Sequence, residues 1–162
     1  MSETIRELSK KAVELLIKNK LTVSLCASCT GGSLAKAITD IAGSSAVFGF
    51  GAVTYANEAK EKMVGVSHES LEKYGAVSPV VAAEMAEGVK KLSGSDIAIS
   101  MTGIAGPGGG SKEKPVGLVY MGIAAFGKTE TKRLDLKGTR EEIRNAAVTE
   151  GLREVIFLIH NA

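Results

Sequence analysis

Serine and lysine together can make a metal-free hydrolase, and this chain places both beside glycine-rich turns. Ser28-Cys29-Thr30-Gly31-Gly32 follows a short apolar run and precedes a helical pattern. Unpaired N–H groups at a helix start attract anions, either a phosphate or the oxyanion of an acyl-transfer intermediate. Ser28 or Cys29 is then a candidate nucleophile. The plainer reading is that Ser28 or Thr30 only caps the helix. TYANEAK (54–60) sets Tyr55, Asn57 and Lys60 just after a strand. A lysine kept neutral by burial or nearby cations can act as general base to a serine. A solvated lysine on a short helix is the ordinary alternative. Neither histidine, His68 or His160, sits beside a glycine turn, which counts against a Ser-His-Asp triad.

Other segments offer competing chemistry. Cys26-Ala27-Ser28-Cys29 is a C-x-x-C between a strand and a helix, the context of a dithiol redox site. No second cysteine pair or nearby histidine completes a zinc site, so no metal is expected. TGIAGPGGGSKEKP (102–115) lacks the spacing of a phosphate-binding P-loop. Its successive N–H groups can still form an anion nest, with Lys112 and Lys114 adding charge; a flexible loop tip is the alternative. Arg140 and Arg144 lie four apart at the start of the last helical segment and share a face. They suit a phosphate or carboxylate, or else pair with surface acids such as Glu141.

The elements that must position these groups follow from periodicity. Helices are expected over 4–19, 32–41, 57–65, 68–74, 79–94 and 140–159, with Asn57 and Thr139 as caps. Strands are expected over 22–26, 48–55 and 96–101. A hairpin of 116–126 and 129–136 turns around Gly127-Lys128. Strands separated by helices predict a three-layer α/β/α sandwich with a mixed sheet. Both glycine turns follow apolar strands; if those strands run the same way, the turns line one cleft at their carboxyl ends.

Composition narrows the function classes. The 162 residues fit one domain, 1–162, able to bury a core without disulfides. Apolar residues are 44% and charged residues 23%, which excludes a disordered chain. No apolar run reaches the roughly 18 residues of a membrane span. MSETIRELSKK has no apolar signal region, so a cytoplasmic protein with reduced thiols is expected. A net charge of +2 and only 4% aromatics give nucleic acid no platform. The apolar VIFLI (155–159) is expected to pack into the core or against another subunit, and a homo-oligomer is expected.

Taken together, the chain resembles the CinA C-terminal domain family, the nicotinamide-nucleotide amidases. The matching stretches are SCTGG (28–32), ITDIAGSS (38–45), VTYANEAK (53–60), GAVS (75–78), TGIAGPGGGSKEKPVGLVY (102–120) and the R-x-x-x-R of Arg140 and Arg144. The resemblance covers nearly the whole chain. It implies hydrolysis of nicotinamide mononucleotide to nicotinate mononucleotide and ammonia, without metal or cofactor. It makes Ser28 the nucleophile and Lys60 its base, with Tyr55 and Thr102 orienting them. Amides near Thr30, Gly31 and Gly32, with those around Thr102 and Gly103, would form the oxyanion hole. Ser44, Gly106, Gly109, Gly110, Arg140 and Arg144 would complete the nucleotide site, Arg144 and the glycine loop holding the 5′-phosphate. The family pattern is commonly A-E-S-C-T-G-G; here Ala27 replaces the glutamate. That departure leaves a non-catalytic nucleotide-binding domain as the alternative. Many relatives carry a larger N-terminal domain, so a stand-alone form is expected here.

Overall fold

The computed structural model describes residues 3–162. Along the chain run α1 (Ile5–Asn19), β1 (Val23–Ala27), α2 (Ser33–Thr39), a short 3-10 turn (Ser44–Ala46), β2 (Phe48–Val53), α3 (Asn57–Val64), α4 (His68–Tyr74), α5 (Pro79–Ser93), β3 (Ile97–Gly103), β4 (Leu118–Ala125), β5 (Lys128–Asp135) and α6 (Arg140–His160). The five strands form one mixed sheet in the order β2-β1-β3-β4-β5. β1 pairs in parallel with both β2 and β3, while β4 and β5 continue antiparallel. The expected three-layer α/β/α sandwich is the observed one, and β1 and β3 do run the same way.

Strand alternation decides which helices cover which face. Ile97, Ile99 and Met101 of β3 join Val23, Leu25, Met121 and Ile123 in a core shared with α1, α2 and α6. Val155, Ile156 and Ile159 belong to it, so most of the C-terminal apolar run packs inward. On the other face Cys26, Ala98 and Ala124 meet Val81, Met85 and Val89 of α5. That face is built from small residues, and α5 comes close: Ser100 Oγ donates to Ala82 O at 2.6 Å. A Cβ on Gly122 would strike that same carbonyl. Among the described residues, no helix is long and apolar enough to cross a membrane.

Several boundaries differ from the sequence expectation for identifiable reasons. β2 stops at Val53 rather than residue 55 because the carbonyls of Thr54 and Tyr55 are taken by Lys60. α3 is capped by Ala56 without a side-chain bond, not by Asn57. α2 starts at Ser33 with left-handed Gly32 before it, so neither Ser28 nor Thr30 is its cap. The hairpin turns at Phe126-Gly127, both with positive φ, as a tight two-residue turn requires. β4 begins at Leu118, since Gly117 at φ 95 donates its N–H to Ile104 O instead of joining the strand.

Candidate active site

Three strand ends converge at the carboxyl edge of the parallel strands, where α/β sheets hold their ligands. Ala27 of β1 lies level with Val53 of β2 and Met101 of β3. The next residue, Ser28, extends the ladder by donating its N–H to Met101 O at 3.1 Å. On the opposite side Thr54 ties β2 to β1 through its N–H and hydroxyl, both donated to Ala27 O. The chain then enters α3, whose first turn brings Lys60 back toward β1.

Lys60 decides the chemistry. It is 1% exposed. Its Nζ stands 3.0 Å from Ser28 Oγ and donates to Thr54 O at 2.8 Å and Tyr55 O at 3.2 Å. Among the described residues no carboxylate pairs with it. Burial without a counter-ion disfavours the ammonium and pushes its pKa down from 10.5, against a smaller opposing pull from the Cys26 and Cys29 thiols. A neutral amine has two N–H bonds and one lone pair. With both N–H groups given to the two carbonyls, the lone pair is left for the Ser28 hydroxyl. This arrangement can accept a proton from serine.

The turn after Ser28 supplies donors. Gly31 and Gly32 have φ of 64° and 99°, conformations that side chains rarely adopt. A Cβ on Gly31 would lie 3.0 Å from Arg144 Nη2 and one on Gly32 3.2 Å from Val53 Cγ2, so the turn is also tightly packed. Ser28, Gly31 and Ser33 give their N–H groups to backbone carbonyls. Those of Cys29, Thr30 and Gly32 donate to no other residue among the described residues. The turn therefore keeps free amide donors next to the nucleophile candidate.

A cavity of about 200 Å³ opens over this centre, lined by Ser28, Cys29, Tyr55, Lys60, Thr102, Gly103 and Arg140, with Ala76, Val77 and Ala105. Thr102 donates its hydroxyl to Ala76 O at 2.8 Å, fixing the 75–78 segment to the end of β3. Arg140 bridges two walls, donating to Gly106 O at 2.6 Å and to the Tyr55 hydroxyl at 3.2 Å. The glycine loop is tied down again by Lys114, whose Nζ donates to Tyr74 O at 2.7 Å.

Not every expected residue lines this cavity. Arg144 lies behind the turn, where Nη2 donates to Thr30 O at 3.0 Å and Nε is buried without a partner among the described residues. Thr30, Gly31 and Gly32 face a neighbouring apolar cavity of about 320 Å³, shared with Ala27, Leu34 and Val53. Ser44 is buried in its 3-10 turn, and neither it nor Gly109 or Gly110 reaches the Ser28 cavity. The contributions that sequence reasoning missed come from backbone: the carbonyls of Thr54, Tyr55, Ala76 and Met101. A carbonyl leaves no trace in residue type, so no motif could have marked them. The dithiol reading loses ground here. Both thiols are buried, Cys29 is pushed up to about 11 by burial, and Cys26 is raised for the same reason. A redox pair needs an accessible, acidic thiol.

The family model of the CinA C-terminal domain matches residues 5–159. This chain belongs to the CinA C-terminal domain family. A CinA-like protein of Endomicrobium trichonymphae is 55% identical over 145 residues, 90% of this chain and 34% of the relative. One of Kosmotoga olearia is 54% identical over 140 residues, 86% of this chain and 34% of the relative. The chain thus spans about a third of the curated relatives it matches. Among solved structures, the competence/damage inducible protein CihA of Agrobacterium tumefaciens is 45% identical, with a TM-score of 0.93 over 98% of this chain and 99% of that one. A CinA superfamily protein of Klebsiella pneumoniae is 32% identical, with a TM-score of 0.95 over 99% of this chain and 100% of that one.

Proposed function

We propose that this chain is a serine–lysine amidase that converts nicotinamide mononucleotide to nicotinate mononucleotide and ammonia. The observation that carries the reading is the buried Lys60 amine, paired with no carboxylate among the described residues and 3.0 Å from Ser28 Oγ. Ser28 Oγ attacks the carboxamide carbon while its proton passes to Lys60 Nζ. Negative charge then develops on the amide oxygen, and the N–H of Cys29, the turn residue that lines the cavity beside Ser28, stabilises it. Lys60 returns the proton to the departing nitrogen, so ammonia leaves and an acyl ester remains on Ser28. Water, deprotonated by the same amine, cleaves the ester and regenerates the serine. Thr102 and Tyr55 position the walls of the cavity, and Arg140 supplies the cation that faces the nucleotide. No step calls for a metal or cofactor.

A second reading, a nucleotide-binding domain without chemistry, is motivated by Ala27. The Ala27 side chain faces the apolar cavity rather than the one containing Ser28 and Lys60. A short side chain there removes nothing from the lysine. The test is ammonia release from nicotinamide mononucleotide, with calorimetry for binding. Amidase chemistry predicts turnover that Ser28→Ala lowers by about 10⁴-fold or more. Saturable binding with no turnover would favour the second reading, and turnover unchanged in Ser28→Ala would remove Ser28 from the mechanism.

A further inference from the structure

Arg144 reaches from α6 to the back of the Ser28–Gly32 turn and directs its charge at a carbonyl that does not need it. Thr30 O already accepts the Ser33 N–H at 3.2 Å and the Ser33 hydroxyl at 2.9 Å, enough for its two lone pairs. Arg144 Nη2 adds a third, charged donor at 3.0 Å. The placement is unfavourable for the arginine itself, because Nε is buried without a partner among the described residues. Gly31 makes the room: a Cβ there would lie 3.0 Å from Nη2. Thr30 is 1% exposed, so solvent ions screen the bond little. Two hydrogen bonds carry the charge onward. A peptide C=O and the N–H of the next residue belong to one conjugated unit, so a cation at the oxygen makes that N–H a stronger donor. The Thr30–Gly31 unit links Arg144 to Ser28 O, which accepts the Gly31 N–H at 3.0 Å. The Ser28–Cys29 unit then ends at the Cys29 N–H, which donates to no other residue among the described residues and belongs to the cavity lining beside Ser28.

We infer that Arg144 is a positioning residue that acts through this two-peptide relay, polarising the Cys29 N–H toward the developing oxyanion instead of holding the nucleotide's phosphate. The role rests on the amidase reading and deepens it. A donor polarised before substrate arrives needs no rearrangement when charge develops on the amide oxygen. Its effect is greatest in the transition state, so it falls on kcat and not on KM. The same relay explains why a buried arginine stands on the far side of the turn from the cavity.

Arg144→Met, Arg144→Lys and Ser33→Ala test this in the full chain, each checked for folding by circular dichroism. Arg144→Met should lower kcat for nicotinamide mononucleotide roughly tenfold with KM little changed, a part of the 10²–10³ lost with a whole oxyanion donor. Arg144→Lys keeps a cation at the carbonyl and should recover much of that loss. Ser33→Ala removes a neutral donor from the same carbonyl and should change kcat by less than about twofold. Nitrogen-15 NMR of the ligand-free protein reads the relay without turnover. The Gly31 and Cys29 amide protons should move upfield in Arg144→Met and return in Arg144→Lys, while the Ser28 amide, bonded to Met101 O outside the relay, stays in place. A raised KM with unchanged kcat would make Arg144 a nucleotide ligand, and unmoved Gly31 and Cys29 signals would remove the relay; either result overturns the inference. A wild-type protein that releases no ammonia would overturn the amidase reading instead, and the amide shifts would still decide whether the relay exists.

Discussion

Lys60→Arg separates a base from a charge. The Lys60 nitrogen has three oxygens around it, at 2.8, 3.0 and 3.2 Å. An arginine keeps a cation near Ser28 but cannot give up its proton, because its pKa exceeds about 12. If Lys60 acts only by its field, arginine preserves part of the rate. If Lys60 takes the Ser28 proton, arginine is no better than methionine. General-base removal costs about 10²- to 10⁴-fold in kcat. Lys60→Arg and Lys60→Met should both fall in that range, and adding either to Ser28→Ala should lower activity little further, since the pair acts as a unit. The assay is steady-state ammonia release from nicotinamide mononucleotide, with circular dichroism to confirm that each variant folds. A Lys60→Arg enzyme within about tenfold of wild type would refute the assignment of Lys60 as base.

The remaining predictions probe the scaffold around that pair. Arg140→Ala should raise KM roughly 10- to 100-fold with a smaller fall in kcat, because a charge-assisted contact is worth about 1.5–3 kcal/mol; Arg140→Lys should restore only part, since one ammonium cannot bridge Gly106 O and the Tyr55 hydroxyl. Gly88→Ala should cost about 1–3 kcal/mol in denaturant unfolding and lower kcat, because its Cβ would strike Val64 O and push α3, with Lys60, away from β1. Burial lowers the Lys60 pKa, so the unfolded chain binds more protons between that lowered value and 10.5. Stability to denaturant should rise with pH from that lowered value toward 9.0, above which ionisation of the unfolded Cys26 and Cys29 thiols opposes it, and the rise should be missing in Lys60→Met. Iodoacetamide should modify Cys26 and Cys29 only after unfolding, as both thiols are buried and held protonated; rapid native alkylation would contradict the geometry.

The fold was legible because local signals agreed. Ser78-Pro79 opens α5 and Gly94 closes it. Thr139 and Glu142 form a reciprocal cap on α6. The apolar runs of β1 and β3 mark strands buried on both faces. Ser28 and Lys60 were legible as residue types beside turns, yet their approach depends on α3 folding back across β1, which no local spacing encodes. Arg140 and Arg144 show the limit well. Four residues apart on one helix, they share a face, but one reaches the cavity and the other braces the Thr30 carbonyl. A helical turn of about 5.4 Å separates them, enough to place one in front of the Ser28 turn and one behind it. Ala27 is similar: its place in the chain suggested a lost catalytic carboxylate, and only the strand's alternation shows its side chain in the neighbouring cavity.

The central claim is that the amine beside Ser28 is held toward its neutral form. Carbon-13-labelled lysine, followed by NMR through a pH titration, reads this directly, with the Lys60→Met protein assigning the resonance. One signal, absent from that variant, should lose its proton at lower pH than the surface lysines. A Lys60 signal that titrates together with them, or above them, would contradict the account.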